Sequence, residues 1–217
     1  MPPVERFVCR FAAEPPQEAL PRGAWAQTLQ AEFLAACLRI DAEGQDLGEA
    51  RELRWFPDRS WNGRTYVPVT AGTTTDLELF GFVSFVPGDP DASGAEAEPS
   101  DFSSRADFTD ETAARNPDWR IDVCEEVIGT WRGEGGRGAD MTLVWGVPLI
   151  GLARVATAEL AGLAVDQCAL VQDRFTLVAP DNYRGDFLDV KLWDADGREL
   201  ASESLYVEDD EDDDGGE

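Results

Sequence analysis

The stretch Phe187-Leu188-Asp189-Val190-Lys191-Leu192-Trp193-Asp194-Ala195-Asp196-Gly197-Arg198-Glu199-Leu200-Ala201-Ser202-Glu203-Ser204-Leu205-Tyr206-Val207 places two strand-length runs on either side of a turn. Asp-Ala-Asp-Gly between such runs is a hairpin signal, because aspartate and glycine accept the backbone angles that a tight reversal needs. The same arrangement recurs upstream. Trp61-Asn62-Gly63-Arg64 contains Asn-Gly, which favours a primed two-residue turn. Trp119–Trp131 and Met141–Ile150 read as strands paired across the glycine-rich stretch 132–139. Leu77–Val86 (LELFGFVSFV) is apolar on both faces, as expected of a central strand covered on each side.

Helical signal is sparse. Over about Ala24–Arg39, Trp25, Leu29, Phe33, Ala36, Cys37 and Ile40 recur at spacings of three and four, which predicts one amphipathic helix. A first strand is expected at Glu5–Phe11, where Phe7, Cys9 and Phe11 alternate with Arg6 and Arg10. Ser104–Asn116 is expected to form a short helix. Gly151–Ala164 fits either helix or strand. Strands are expected at Thr65–Val69, Asp166–Val171 and Arg174–Ala179, and more weakly at Ala50–Phe56. Many hairpin-like links and one helix near the N-terminus predict an α+β fold built mainly from antiparallel sheets. A doubly wound fold would need regular helical crossovers, and the sequence has none.

The 217 residues include 44 acids and 18 bases, for a formal net charge of −26. Half of that charge falls in two short segments, 87–101 (net −5) and 208–217 (net −8). Neither carries the large apolar residues needed to offset ordering entropy, so both are expected to be disordered, the first as an insertion and the second as a tail. The chain then divides into a strand–helix–strand segment at 1–86, the acidic insertion at 87–101, a strand-rich remainder of the same domain at 102–207, and the tail at 208–217. MPPVERFVCRF has no basic stretch leading into an apolar one, so no signal peptide is expected. No apolar run approaches the ~18 residues of a membrane helix. Cys9, Cys37, Cys124 and Cys168 share no C-x-x-C spacing and sit among apolar neighbours, which suits buried thiols in a cytoplasmic protein.

The chain contains no histidine. Ser–His and Cys–His nucleophile pairs, imidazole bases and His-dependent metal sites are thereby excluded. Glu125, Glu126 and Asp122 are carboxylates without a marked partner. Asp186, Asp189, Asp194 and Asp196 cluster near the last hairpin but lack calcium-loop spacing, and turn chemistry explains them. No catalytic residue, metal site or cofactor is therefore assigned.

Two stretches suit recognition. Trp55, Arg59, Trp61 and Arg64 surround one turn, and Trp131, Arg132 and Arg137 surround another. Tryptophan and arginine dominate binding hot spots because they combine large contact area with hydrogen bonding. The Gly/Arg stretch 132–138 would also suit an anion, although no phosphate-loop or dinucleotide motif is present.

The expected function is a non-catalytic protein-interaction module: a regulator, inhibitor or assembly factor meeting a partner protein, with a basic one favoured by acidic steering. One alternative is an enzyme using carboxylates and arginine, with or without a divalent metal. Another is a nucleic-acid-mimicking inhibitor. Duplex DNA carries about one charge per 110 Å². The whole chain's net charge, spread over its expected folded surface, gives only about one per 380 Å². Mimicry would therefore need clustering on one face. A basic stripe for binding nucleic acid is absent.

Overall fold

In a computed structural model of the chain, the described residues are 25–88, 98–132 and 138–206. They form one helix and twelve strands, all paired antiparallel. The expected α+β class, with mainly antiparallel sheets and a helix toward the N-terminal side, is what the structure shows. The expected strand at Glu5–Phe11, the centre of the acidic insertion and the tail 208–217 lie outside the described residues.

Sheet 1 contains β1 (Arg54–Trp55), β2 (Arg59–Trp61), β3 (Arg64–Gly72), β4 (Glu78–Val86) and β5 (Ser100–Thr109). Its order is β1-β3-β4-β5, with β2 also on β3. The β2–β3 turn has Asn62 at φ 51° and Gly63 at φ 76°, the two positive values that a primed turn requires. It sets Trp61 opposite Arg64.

The helix α1 (Ala26–Cys37) packs on sheet 1. Leu29 and Phe33 are buried against Val67, Val69, Leu79 and Val83. The other face of β4 turns Phe80 and Phe82 toward sheet 2. Both faces of LELFGFVSFV are apolar because both are covered.

Sheet 2 contains β6 (Ile121–Arg132), β7 (Gly138–Pro148) and β10 (Phe175–Asp181), with β7 in the middle. On one face Met141, Leu143, Trp145 and Val178 meet Phe56, Tyr66 and Phe82 of the first sheet's layer. On the other, Val144, Phe175, Leu177 and Ala179 meet sheet 3. That sheet contains β8 (Val155–Leu160), β9 (Leu163–Ala169), β11 (Leu188–Trp193) and β12 (Glu199–Ser204), in the order β12-β11-β8-β9. The molecule is thus four layers deep: helix, sheet, sheet, sheet.

Two sequence expectations change, and one open reading is decided. Ser104–Asn116 is not a helix: Ser104–Thr109 belongs to β5, and turns follow. The reason is a period of two. Phe102, Ser104, Ala106 and Phe108 face inward, and Asp101, Ser103, Arg105 and Asp107 face solvent. Ser100 and Asp101, which sequence composition grouped with the acidic insertion, open the same strand. Gly151–Ala164 resolves as β8, a turn and the start of β9, because Ala161 and Gly162 adopt the positive φ of a tight hairpin.

The last hairpin forms as its sequence predicts, joining β11 to β12. Asp194 organises the turn by accepting hydrogen bonds from the Asp196 and Arg198 amides on Oδ1, each at 2.9 Å. Those amides hold its carboxyl below the usual carboxylate range. Asp194 thus serves the turn while Asp189 lies within β11, and no group of metal-ligating side chains occurs among the described residues. No helix among the described residues is long and apolar enough to cross a membrane.

Candidate functional site

Sheets 1 and 2 diverge at one side of the molecule, leaving a cleft of about 600 Å³ between β5 and β6. Its floor is aromatic: Tyr66 and Phe82 meet edge-on at 5.6 Å between ring centres. Its polar wall is built on sheet 1. Arg64 donates through Nη2 to the Asp101 carbonyl at 2.6 Å and through Nη1 to the Asp101 carboxylate. It also reaches Ser84 Oγ at 3.3 Å through Nη2. Arg105 pairs with Glu126 of β6 at 3.0 Å, a bridge across the mouth of the cleft. The guanidinium side of that pair remains mostly in solvent. Such an exposed pair contributes ~1 kcal/mol or less and opens easily.

The opposite wall is the edge of β6. Its pairing with β7 shifts register between Val127 and Gly129. A bulge of this kind re-aims side chains and strengthens local twist. Val127 emerges half-exposed at this point. Gly129 has no side chain because the six-membered ring of Trp61 occupies that space: a Cβ there would lie 2.5 Å from the ring.

The structure sorts the seven sequence-selected residues by role. Trp61 and Arg64 come together at the cleft, Trp61 behind its β6 wall and Arg64 in its lining. Trp131 and Arg132 border a second cavity of about 600 Å³ beside the β6–β7 connection. The Trp131 ring meets Tyr183 edge-on at 5.8 Å, and the Arg184 guanidinium lies 5.1 Å from the Tyr183 ring centre. Arg137 lies outside the described residues. Trp55 packs in the helix-side core, and its carbonyl accepts from Arg174 at 2.7 Å.

Arg59 departs furthest from expectation. It is buried rather than on a surface turn, and forms an ion pair with Asp166 of β9, each side chain 1% exposed. The same Asp166 oxygen accepts the Val178 amide of β10 at 2.9 Å. One carboxylate thus ties sheets 1, 2 and 3 together.

The residues that sequence reasoning missed are Tyr66, Arg105 and the bulged edge at Val127–Gly129. Arg105 falls in the stretch 104–116, whose sequence predicts a short helix. The signal that recovers it is the in–out alternation of 101–108.

Of the carboxylates considered for enzymatic chemistry, Glu126 is held by Arg105 at the cleft, and Asp122 and Glu125 lie elsewhere, Asp122 beside Glu78. Burial pushes the Glu78 carboxyl up to about 7, with Asp122 adding repulsion and Arg54 opposing. Burial likewise raises Asp122, and Arg54 opposes it. Neither carboxylate lines the cavities described here. Glu125 is also raised to about 7, by burial and by repulsion from Asp181 and Glu126. It borders a smaller cavity, about 270 Å³, on the far side of β6. The Cys124 thiol is raised by burial and by the surrounding carboxylates, which suppresses thiolate chemistry.

Comparison with protein-family models, with curated proteins and with solved structures finds no match.

Proposed function

We propose that this protein is a non-catalytic interaction module that binds a partner protein at the β5–β6 cleft. The observation that carries this reading is the composition of the cleft. Aromatic floor, half-exposed Val127 and solvent-facing Arg105 meet there, beside β6, the edge strand of sheet 2 among the described residues. Recognition surfaces combine such an apolar centre with a polar rim. Trp61 and Arg64, selected from sequence for partner contact, belong to the same construction. The absence of histidine supports binding over turnover. The net charge of −26 would speed encounter with a basic partner and make it salt-dependent.

The test is affinity recovery of partners from cell extract at low salt. Wild-type chain is compared with Val127→Arg, which sets a bulky positive charge at the half-exposed apolar centre of the cleft. Loss of a specific partner in the variant, with unchanged thermal stability, is the expected result. Identical recovery by both proteins would remove the cleft from consideration.

A further inference from the structure

The cleft has a direction, because β6 is the edge strand of sheet 2 among the described residues. β6 is twelve residues long, and among the described residues β7 is its one partner strand. β5 and β12 are the corresponding edges of sheets 1 and 3. The cavities show that these edges lie on the same side: one is walled by β5 and β6, and the smaller by β6 together with Glu203, Ser204 and Leu205. β6 is therefore the middle rail of three, with a hollow on each flank. The hollows are offset along it. Val127–Thr130 line the first, and Ile121, Val123 and Glu125 line the second.

An added strand sends alternate side chains to opposite faces and rises about 3.3 Å per residue. One laid along 121–130 would therefore meet the Tyr66–Phe82 hollow with one set of side chains. It would meet the Trp119–Leu205 hollow with the other. Its main chain would take up the outer amides and carbonyls of β6.

Natural edges are blunted by proline, lysine or short length. β5, β6 and β12 contain neither proline nor lysine, and the register shift in β6 and its charges are its main protection. The charge on the three strands has one dominant sign: seven acids against two bases, Arg105 and Arg132.

Resting on the protein-binding reading above, we propose that the occupant is an extended, basic segment of a partner protein. It adds to β6 as a fourth strand of sheet 2. Main-chain pairing supplies affinity, and the two hollows and the acidic rails supply selectivity.

The experiment uses the full chain and three acetylated ten-residue probes. One alternates lysine and valine, the second alternates glutamate and valine, and the third repeats the first with alternate backbone nitrogens methylated. Binding is followed by fluorescence anisotropy and by amide hydrogen exchange. The lysine–valine probe should bind and slow exchange of amides within 121–130 at least tenfold. The other two probes should bind at least tenfold more weakly. Val127→Lys, on the exposed face, should weaken the first probe about tenfold without changing thermal stability.

Four results would overturn the proposal. The first is equal binding of the methylated probe, which would show charge attraction without strand pairing. The second is binding without protection of 121–130. The third is an edge already slow to exchange in the unliganded monomer, which would mean the chain's own residues cover it. The fourth is concentration-dependent protection with a doubled mass, which would make a second copy the occupant. The wider reading fails separately, through unchanged partner recovery by Val127→Arg.

Discussion

Asp166 is the residue on which three sheets depend, and its removal gives the clearest energetic test. Asp166→Ala takes the carboxylate from a buried guanidinium and an acceptor from the Val178 amide. Breaking one side of a buried pair costs about 3–5 kcal/mol, so the urea midpoint should fall accordingly. The double change Arg59→Met with Asp166→Leu should be far less costly than the two single losses added together. Glu78 gives a pH test. Its carboxyl is raised from 4.5 to about 7 in the folded protein. The folded state therefore holds more protons than the unfolded chain between those values. Stability falls as pH rises through that window and levels off above it. Thermal melts should show this decline, and Glu78→Gln should make it shallower while leaving the share carried by Glu125. Gly81, at φ 153°, lies so close to the Arg105 carbonyl that any Cβ would collide with it. Gly81→Ala should accordingly destabilise by about 1–3 kcal/mol. Nothing local in the sequence distinguishes Arg59 from an ordinary turn arginine. Its partner lies 107 residues away, and pairing at that range leaves no pattern in a short window.

The secondary elements were legible wherever one short window determined them. Asn62-Gly63 specifies its own turn, and Asp194 folds its carboxylate back onto amides two and four residues on. The stripe through Leu29, Phe33 and Ala36 made α1 readable. Phe33 is completely buried between the helix and β3–β4. Phe33→Ala should therefore cost about 3–5 kcal/mol in chemical denaturation. Ala35→Ser, on the exposed side of the same helix, should change stability by less than ~0.5 kcal/mol. β5 misled because its inward positions include Ser104 and Ala106 alongside two phenylalanines. Small residues blur a period of two, and Ala and Arg carry helix propensity that only the neighbouring strand β4 overrides. The binding cleft was half legible for the same reason. Trp61 and Arg64 come from a self-specifying turn, whereas Arg105 and Val127 matter only once two sheets lie side by side.

Across the whole molecule, the four layers bury β4 and β7 from both directions. Amides in 77–86 and 141–150 should exchange slowest, on the timescale of global unfolding, because no smaller opening reaches them. Trp145 lies at the centre of this stack with no exposure, and its indole N–H has no hydrogen-bond partner among the described residues. The order of the chain through the layers has a consequence for biogenesis. β2 is made early, yet the carboxylate that meets Arg59 belongs to β9, and sheet 2 is completed only by β10. While the ribosome is still translating the middle of the message, the sheet 1 surface carrying Phe56, Tyr66 and Phe82 lacks its mate. A nascent chain in that state displays sticky aromatic surface and a guanidinium still in water, the type of client that holding chaperones recognise. Stalling synthesis shortly before residue 166 should thus yield a protease-sensitive, aggregation-prone intermediate, whereas stalling after β12 has cleared the exit tunnel should not.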